Sequence, residues 1–229
     1  MHLFRMTARI HGWTLRQCIV PRVPAARIFL AASLLLGGEA TAQVVFNVDD
    51  TADDIDANVL DGKCETPLPA KSCTLRAAIM QSNRIPAAGT TIVLPAGTYK
   101  LTVPATLADG EENGDLNVYV PSGYAPGPTS IVGSGSEISS IDAMGQSRVL
   151  NVARTLAITG VSIINGHVTS SSGGGIVNSG QLTLTDCMIS NNTATYLAFG
   201  GRGGCIFNSG LLSLTRVSVT SNFASELGG

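Results

Sequence analysis

Residues 173–194 read GGGIVNSGQLTLTDCMISNNTA, and thirty positions later residues 203–224 read GGCIFNSGLLSLTRVSVTSNFA. Laid one over the other, Gly174 meets Gly204, Ile176 meets Ile206, Asn178-Ser179-Gly180 meets Asn208-Ser209-Gly210, and Asn192 meets Asn222. A fainter copy lies 26 residues upstream, where LAITGVSIIN (156–165) aligns with LTLTDCMISN (182–191). A repeat of this length, with connections of variable size, predicts a solenoid in which each repeat is one coil of the chain.

Inside a coil, Leu182 and Leu184 alternate with Thr183 and Thr185, the period of a strand with one face turned inward. Asp186 is placed to turn the chain, after which Cys187 and Ile189 continue the inward row. The equivalent rows are Leu156, Ile158, Val161, Ile163 and Leu212, Leu214, Val217, Val219. One coil exposes such a row, and stacking several buries it. The same parity runs on to Asn165, Asn191 and Ser221, which are expected to form a structural ladder of polar side chains bonded from coil to coil.

The N-terminus reads differently. Residues 1–42 hold five arginines and one acid, Glu39, followed through by the apolar run IFLAASLLL (28–36) and the small-residue triplet Ala40-Thr41-Ala42. This is the pattern of a cleaved secretory signal peptide, and nine apolar residues are too few to cross a bilayer. The expected organisation is therefore a leader over 1–42, an N-terminal cap over 43–90, and coils over 91–229. The whole chain has fourteen basic and sixteen acidic residues, so removal of the leader leaves nine against fifteen. A mature net charge near −6 argues against nucleic acid as a partner. Four cysteines stay behind, Cys64, Cys73, Cys187 and Cys205, an even number that suits an oxidising compartment. Few charges, 26 glycines and Ser/Thr mixed with Val, Ile and Leu favour an all-β chain.

At these residues the chain resembles the right-handed parallel β-helix proteins of the pectin-lyase-like kind. TIVLPAGTYKLT (91–102) looks like a first coil of that group, and SIVGSGSEISSIDAMGQSRVLNV (130–152) like the coils that follow. The GG-I-x-N-S-G units resemble those of bacterial polymorphic outer-membrane and surface proteins. CTLRAAI (73–79) resembles the CSLREA segment, with Thr74 in place of Ser and Ala77 in place of Glu, and DTADDIDANVLDGKC (50–64) matches the texture that precedes it. The resemblance implies a right-handed parallel β-helix, secreted or held at the cell surface or outer membrane. It says little about activity, because such folds host lyases, hydrolases, adhesins and stalks.

A solenoid exposes its first apolar coil unless something covers it. Thr74 is suited to start a short amphipathic helix with Leu75, Ala78 and Ile79 on one face, which would serve as that cover. Cys64 and Cys73 flank ETPLPAKS and are expected to staple the loop before it with a disulfide. A Cys187–Cys205 pair is left open. Seven acids crowd between Asp49 and Glu65, and Asp54, Asp56, Asn58 and Glu65 fall at positions 1, 3, 5 and 12 of a calcium-loop count. Val59 stands where the loop needs Gly, so a solvated loop of Asx turns is favoured over a calcium site. Calcium is the only cofactor left open.

Catalytic patterns are scarce. His167, the one histidine after the leader, sits in INGHVTSSSGGG (164–175) with no nucleophile motif around it. Asp186 and Arg216 are equivalent positions thirty residues apart and are expected to form an exposed ion pair between coils. The favoured function is a non-catalytic, exported binding or display scaffold whose partners are carbohydrate or a host or cell-surface protein. The alternative is a polysaccharide lyase or hydrolase. The chain ends in Gly228-Gly229, which look like the start of another unit, so the stack reads as unfinished and open to self-association through its last coil.

Overall fold

The computed structural model describes residues 19–21, 43–86, 88–105, 110–112, 114–195 and 201–225. Among the described residues the protein is all-β apart from one short helix, and the strands pair in parallel within four sheets. The chain visits those sheets in rotation. Gln181–Thr185 lies in a six-stranded sheet, Met188–Ser190 in a five-stranded one, Thr193–Thr195 in a three-stranded one and Ile206–Asn208 in a second five-stranded one. Leu211–Thr215 then returns to the first sheet and pairs with Gln181–Thr185. Gln181 faces Leu211 on one side and Thr155 on the other, so the repeat spacings of thirty and 26 residues are each one circuit. Stacked parallel sheets visited in rotation are compatible with a parallel β-helix.

The register explains why the repeat is apolar where it is. Phe46, Ile92, Ile131, Ile158, Leu184 and Leu214 occupy one column through the six-stranded sheet. All are buried except Leu214, in the last circuit, which is only partly so. Leu116, Leu150, Ile176 and Ile206 form a second, fully buried column. Burying each such side chain is worth about 1.5–3 kcal/mol, and that gain exists only where another coil lies above and below. In the last circuit among the described residues Leu211 is 68% exposed and Phe223 53%, while Val217 keeps its cover at 5%.

Two turns in each of three successive circuits use left-handed backbone. Gly160, Asp186 and Arg216 share φ values of 67°, 53° and 51°, and Asn165, Asn191 and Ser221 share 57°, 57° and 54°. The paired Gly positions have a packing reason. An added Cβ at Gly174 would overlap the carbonyl oxygens of Thr193 and Gly204, and one at Gly204 that of Phe223.

The outward face of the six-stranded sheet carries a short row, Thr155, Gln181 and Leu211, on three strands and two rows that run through all six. One runs Val45, Thr91, Ser130, Ala157, Thr183, Ser213, and the other Asn47, Val93, Val132, Thr159, Thr185, Thr215.

The N-terminal segment departs from expectation in two ways. Val44–Asn47 pairs with Thr90–Val93, so the coil that was expected to come first has a strand laid outside it. The helix, Leu75–Ser82, starts at Thr74, whose hydroxyl accepts from the Ala77 amide, and packs against Leu116–Val118 and Thr90–Leu94. All eight of its residues are buried, the polar face included. An amphipathic helix should leave Arg76 and Gln81 wet; here the acidic stretch folds over them.

Ile19–Pro21 pairs in parallel with Ile206–Asn208. The other residues of 1–42, where a signal peptide is expected, and Gly228-Gly229 lie outside the described residues. Among the described residues no helix is long and apolar enough to cross a membrane.

Candidate functional site

The acidic stretch is bound to the helix. Arg76 donates through Nε to Asp53 Oδ1 at 2.6 Å and through Nη2 to Oδ2 at 3.1 Å, and both side chains are almost fully buried. Asp53 Oδ2 also accepts the amides of Thr102 and Val103 at 2.7 and 2.9 Å, so the carboxylate ties the acidic loop, the helix and the first circuit together. At the far end of the helix Gln81 Nε2 donates to Asp56 Oδ1, the Asn58 carbonyl and Asp61 Oδ1. Asp56 also accepts the amides of Asn58 and Glu65, and burial pushes its carboxyl pKa up.

This is where the four residues of the calcium count come to lie. Asp54 is exposed and meets Thr74 through its backbone carbonyl. Asp56 and Asn58 turn their side-chain oxygens onto nearby N–H groups, and Glu65 engages Asp56 through its own amide. Among the described residues no group of three or more His, Cys, Asp or Glu side chains is disposed to hold a metal.

Cys64 and Cys73 form a disulfide, with Cα atoms 5.0 Å apart. Cys187 is a free thiol buried beneath the turn at Asp186, and burial raises its pKa. A Cys187–Cys205 pair is thereby ruled out.

The polar ladder needs correction. Asn191 and Ser221 are exposed, and Asn165 donates to Asp142 at 2.9 Å. The buried ladder is one residue further on. Asn192 Nδ2 donates to Asn222 Oδ1 at 2.9 Å and to the Ile163 carbonyl, and Asn192 Oδ1 accepts the Gly166 amide. The left-handed residue shifts the strand parity by one, so the amide after it, not the one in the alternating count, points inward. Two further ladders link Asn178 to Asn208 and Asn151 to Asn117, at 2.6 and 2.8 Å.

Asp186 and Arg216 form a two-bonded ion pair between coils, Nη2 to Oδ2 at 2.6 Å, with both side chains about half exposed. The guanidinium holds the Asp186 carboxyl below its usual pKa. Arg154 is a contrasting case. It is buried without a carboxylate, and donates instead to the carbonyls of Ser82, Tyr119 and Gly127 and to the side chains of Ser82, Asn83 and Thr129. Burial lowers its pKa to about 10. Its place at the C-terminal end of the helix, where unpaired carbonyls gather, is structural.

Among the described residues the outer surface holds a groove of about 560 Å³, shallow and open. Its polar lining comes from successive circuits: Lys100, Asp142, Asn165 with His167, then Asn191 with Thr193. It exists because the three-stranded sheet starts late. Its first strand is His167–Thr169, and the circuits before it pass from Lys100 and Asp142 without a strand in that sheet, leaving a step. Lys100 and Asp142 are register partners across that step, and His167 and Thr193 across the next. Asp142 accepts from Asn165 and from the Met144 amide. Among the described residues Lys100 has no ion-pair partner, and the side chains of His167, Asn191 and Thr193 have no hydrogen-bond partner. Of this set the sequence pointed to His167, as a loop residue, and to Asn165 and Asn191. Lys100, Asp142 and Thr193 went unnoticed because 42 residues separate the first two, outside the regular period.

Compared with protein-family models, with curated proteins and with solved structures, the chain matches none, so its own residues carry the functional reading.

Proposed function

We propose that this chain is an exported or cell-surface scaffold, a right-handed parallel β-helix with the helix and acidic loop as its N-terminal cap, whose outer groove binds carbohydrate without cleaving it. The handedness follows the rule for parallel crossovers. The reading of the cap rests on the helix lying against the first circuit, where an apolar coil needs cover. The observation that carries the binding function is the stepped row of side chains with unspent hydrogen-bonding capacity: Lys100, then His167 two circuits on, then Asn191 with Thr193 in the next, the circuits being about 4.8 Å apart. That spacing is close to one sugar unit of a linear glycan. Open, polar and repetitive lining suits a long polar chain better than a small apolar ligand. Glycoside hydrolysis uses two carboxylates flanking the bond, and this groove offers Asp142, already engaged by Asn165.

Binding to a panel of neutral and acidic polysaccharides, measured by calorimetry with chain-length analysis of the products, tests the reading. Binding with unchanged chain length, weakened at least tenfold by Lys100→Ala with His167→Ala, is expected. Shortened chains would favour the lyase or hydrolase instead, and the absence of binding to every glycan would remove the proposal.

A further inference from the structure

A second outward surface, remote in character from the groove, has chemistry of its own. The two full-length outward rows of the six-stranded sheet contain no charged and no aromatic residue, and neither does the short row of Thr155, Gln181 and Leu211 beside them. Eleven of the twelve positions in the full-length rows are Thr, Ser, Val or Ala, Asn47 being the exception, and the richest part pairs Thr159, Thr185 and Thr215 with Thr183 and Ser213. Every one of these hydroxyls lacks a hydrogen-bond partner among the described residues. Outward hydroxyls on the other faces do find one another: Ser140 donates to Thr98, and Thr195 to Thr169. The charged pair at the edge of the face, Asp186 and Arg216, is bonded to itself.

Parallel register makes this a lattice. Hydroxyl and methyl groups repeat about every 4.8 Å across the strands and about every 6.6 Å along them, from one outward residue to the next. Branching at Cβ restricts χ1 in the Thr and Val side chains, which holds most of the array in few orientations. Such a face is poorly suited to a protein partner, since it lacks the Arg, Tyr and Trp anchors that dominate protein interfaces. It is equally poor for an anion, which needs a cation, and it lacks the charged side chains that the groove offers a glycan. What fits is an ordered, uncharged surface with hydrogen-bonding sites at two short in-plane repeats. Ice has repeats comparable to both.

We propose that this face binds ice, with the Thr hydroxyls anchoring water in lattice positions and the interleaved methyl groups excluding disordered water. The proposal is independent of the glycan-binding groove. It is tested with the full chain by measuring thermal hysteresis, inhibition of ice recrystallisation and partition into growing ice. Hysteresis and enrichment in the ice fraction are expected. Both should be lost in Thr183→Lys with Thr185→Lys, and sharply reduced in Thr185→Val with Thr159→Val, which keep the methyl groups and the shape. Thr98→Lys, on another outward face, should retain both, and circular dichroism should be unchanged in all three. No hysteresis and no enrichment in the wild-type chain, or full activity in the folded double-Lys variant, overturns the proposal.

Discussion

Replacing Asp53 with Ala should unfasten the N-terminal segment from the coils. The carboxylate accepts four hydrogen bonds: two from Arg76 and one each from the Thr102 and Val103 amides. Its loss leaves Arg76, whose side chain has no exposure, with the Gly114 and Glu111 carbonyls at 2.9 and 3.4 Å as its only acceptors among the described residues. Removing one partner of a buried ion pair costs about 3–5 kcal/mol, most of it from the charge left behind. Arg76→Met should cost less, because the surviving carboxylate keeps two backbone donors and the methionine keeps the packing of the alkyl stem. The double variant should cost less than the two single ones added, since neither charge is then stranded. Urea unfolding followed by circular dichroism at the sheet band measures all three. A loss below about 1 kcal/mol for Asp53→Ala would refute the idea that this carboxylate is the tie.

Leu184→Ala, buried between Ile158 and Leu214, should destabilise by about 2–5 kcal/mol, and Leu214→Ala in the half-covered last circuit by less than half as much, as read from denaturation midpoints. Reducing the Cys64–Cys73 disulfide, which spans nine residues, should lower stability by roughly 2–3 kcal/mol, measured by unfolding with and without reductant. Asp186→Ala and Arg216→Ala should leave the midpoint unchanged within error, because the pair is exposed and its attraction is screened by solvent. Cys187 should resist thiol reagents until the chain unfolds. Its folded pKa is raised above the unfolded value near 9.0, so the folded thiol holds its proton where the unfolded one loses it, and stability should fall as pH rises past about 9. Cys187→Ala should remove that part of the alkaline loss.

The sequence by itself determined the stacking. Leu182, Leu184, Cys187 and Ile189 lie inward as their alternation requires, and the residues thirty and 26 positions apart are register partners, because parallel coils repeat the same environment at the same place. It also determined the helix start at Thr74 and the Cys64–Cys73 bond, which depend on neighbours a few residues away. Only the tertiary structure decided the rest. The ladder moved from Asn191 to Asn192 because one left-handed residue inverts the strand parity, and a period of two carries no sign of that. The acidic stretch became the partner of Arg76 and Gln81 through contacts more than twenty residues apart. The groove brought Lys100 to Asp142 and His167 because circuits of unequal length wind onto one another, and distance along the chain then says nothing about distance across the surface.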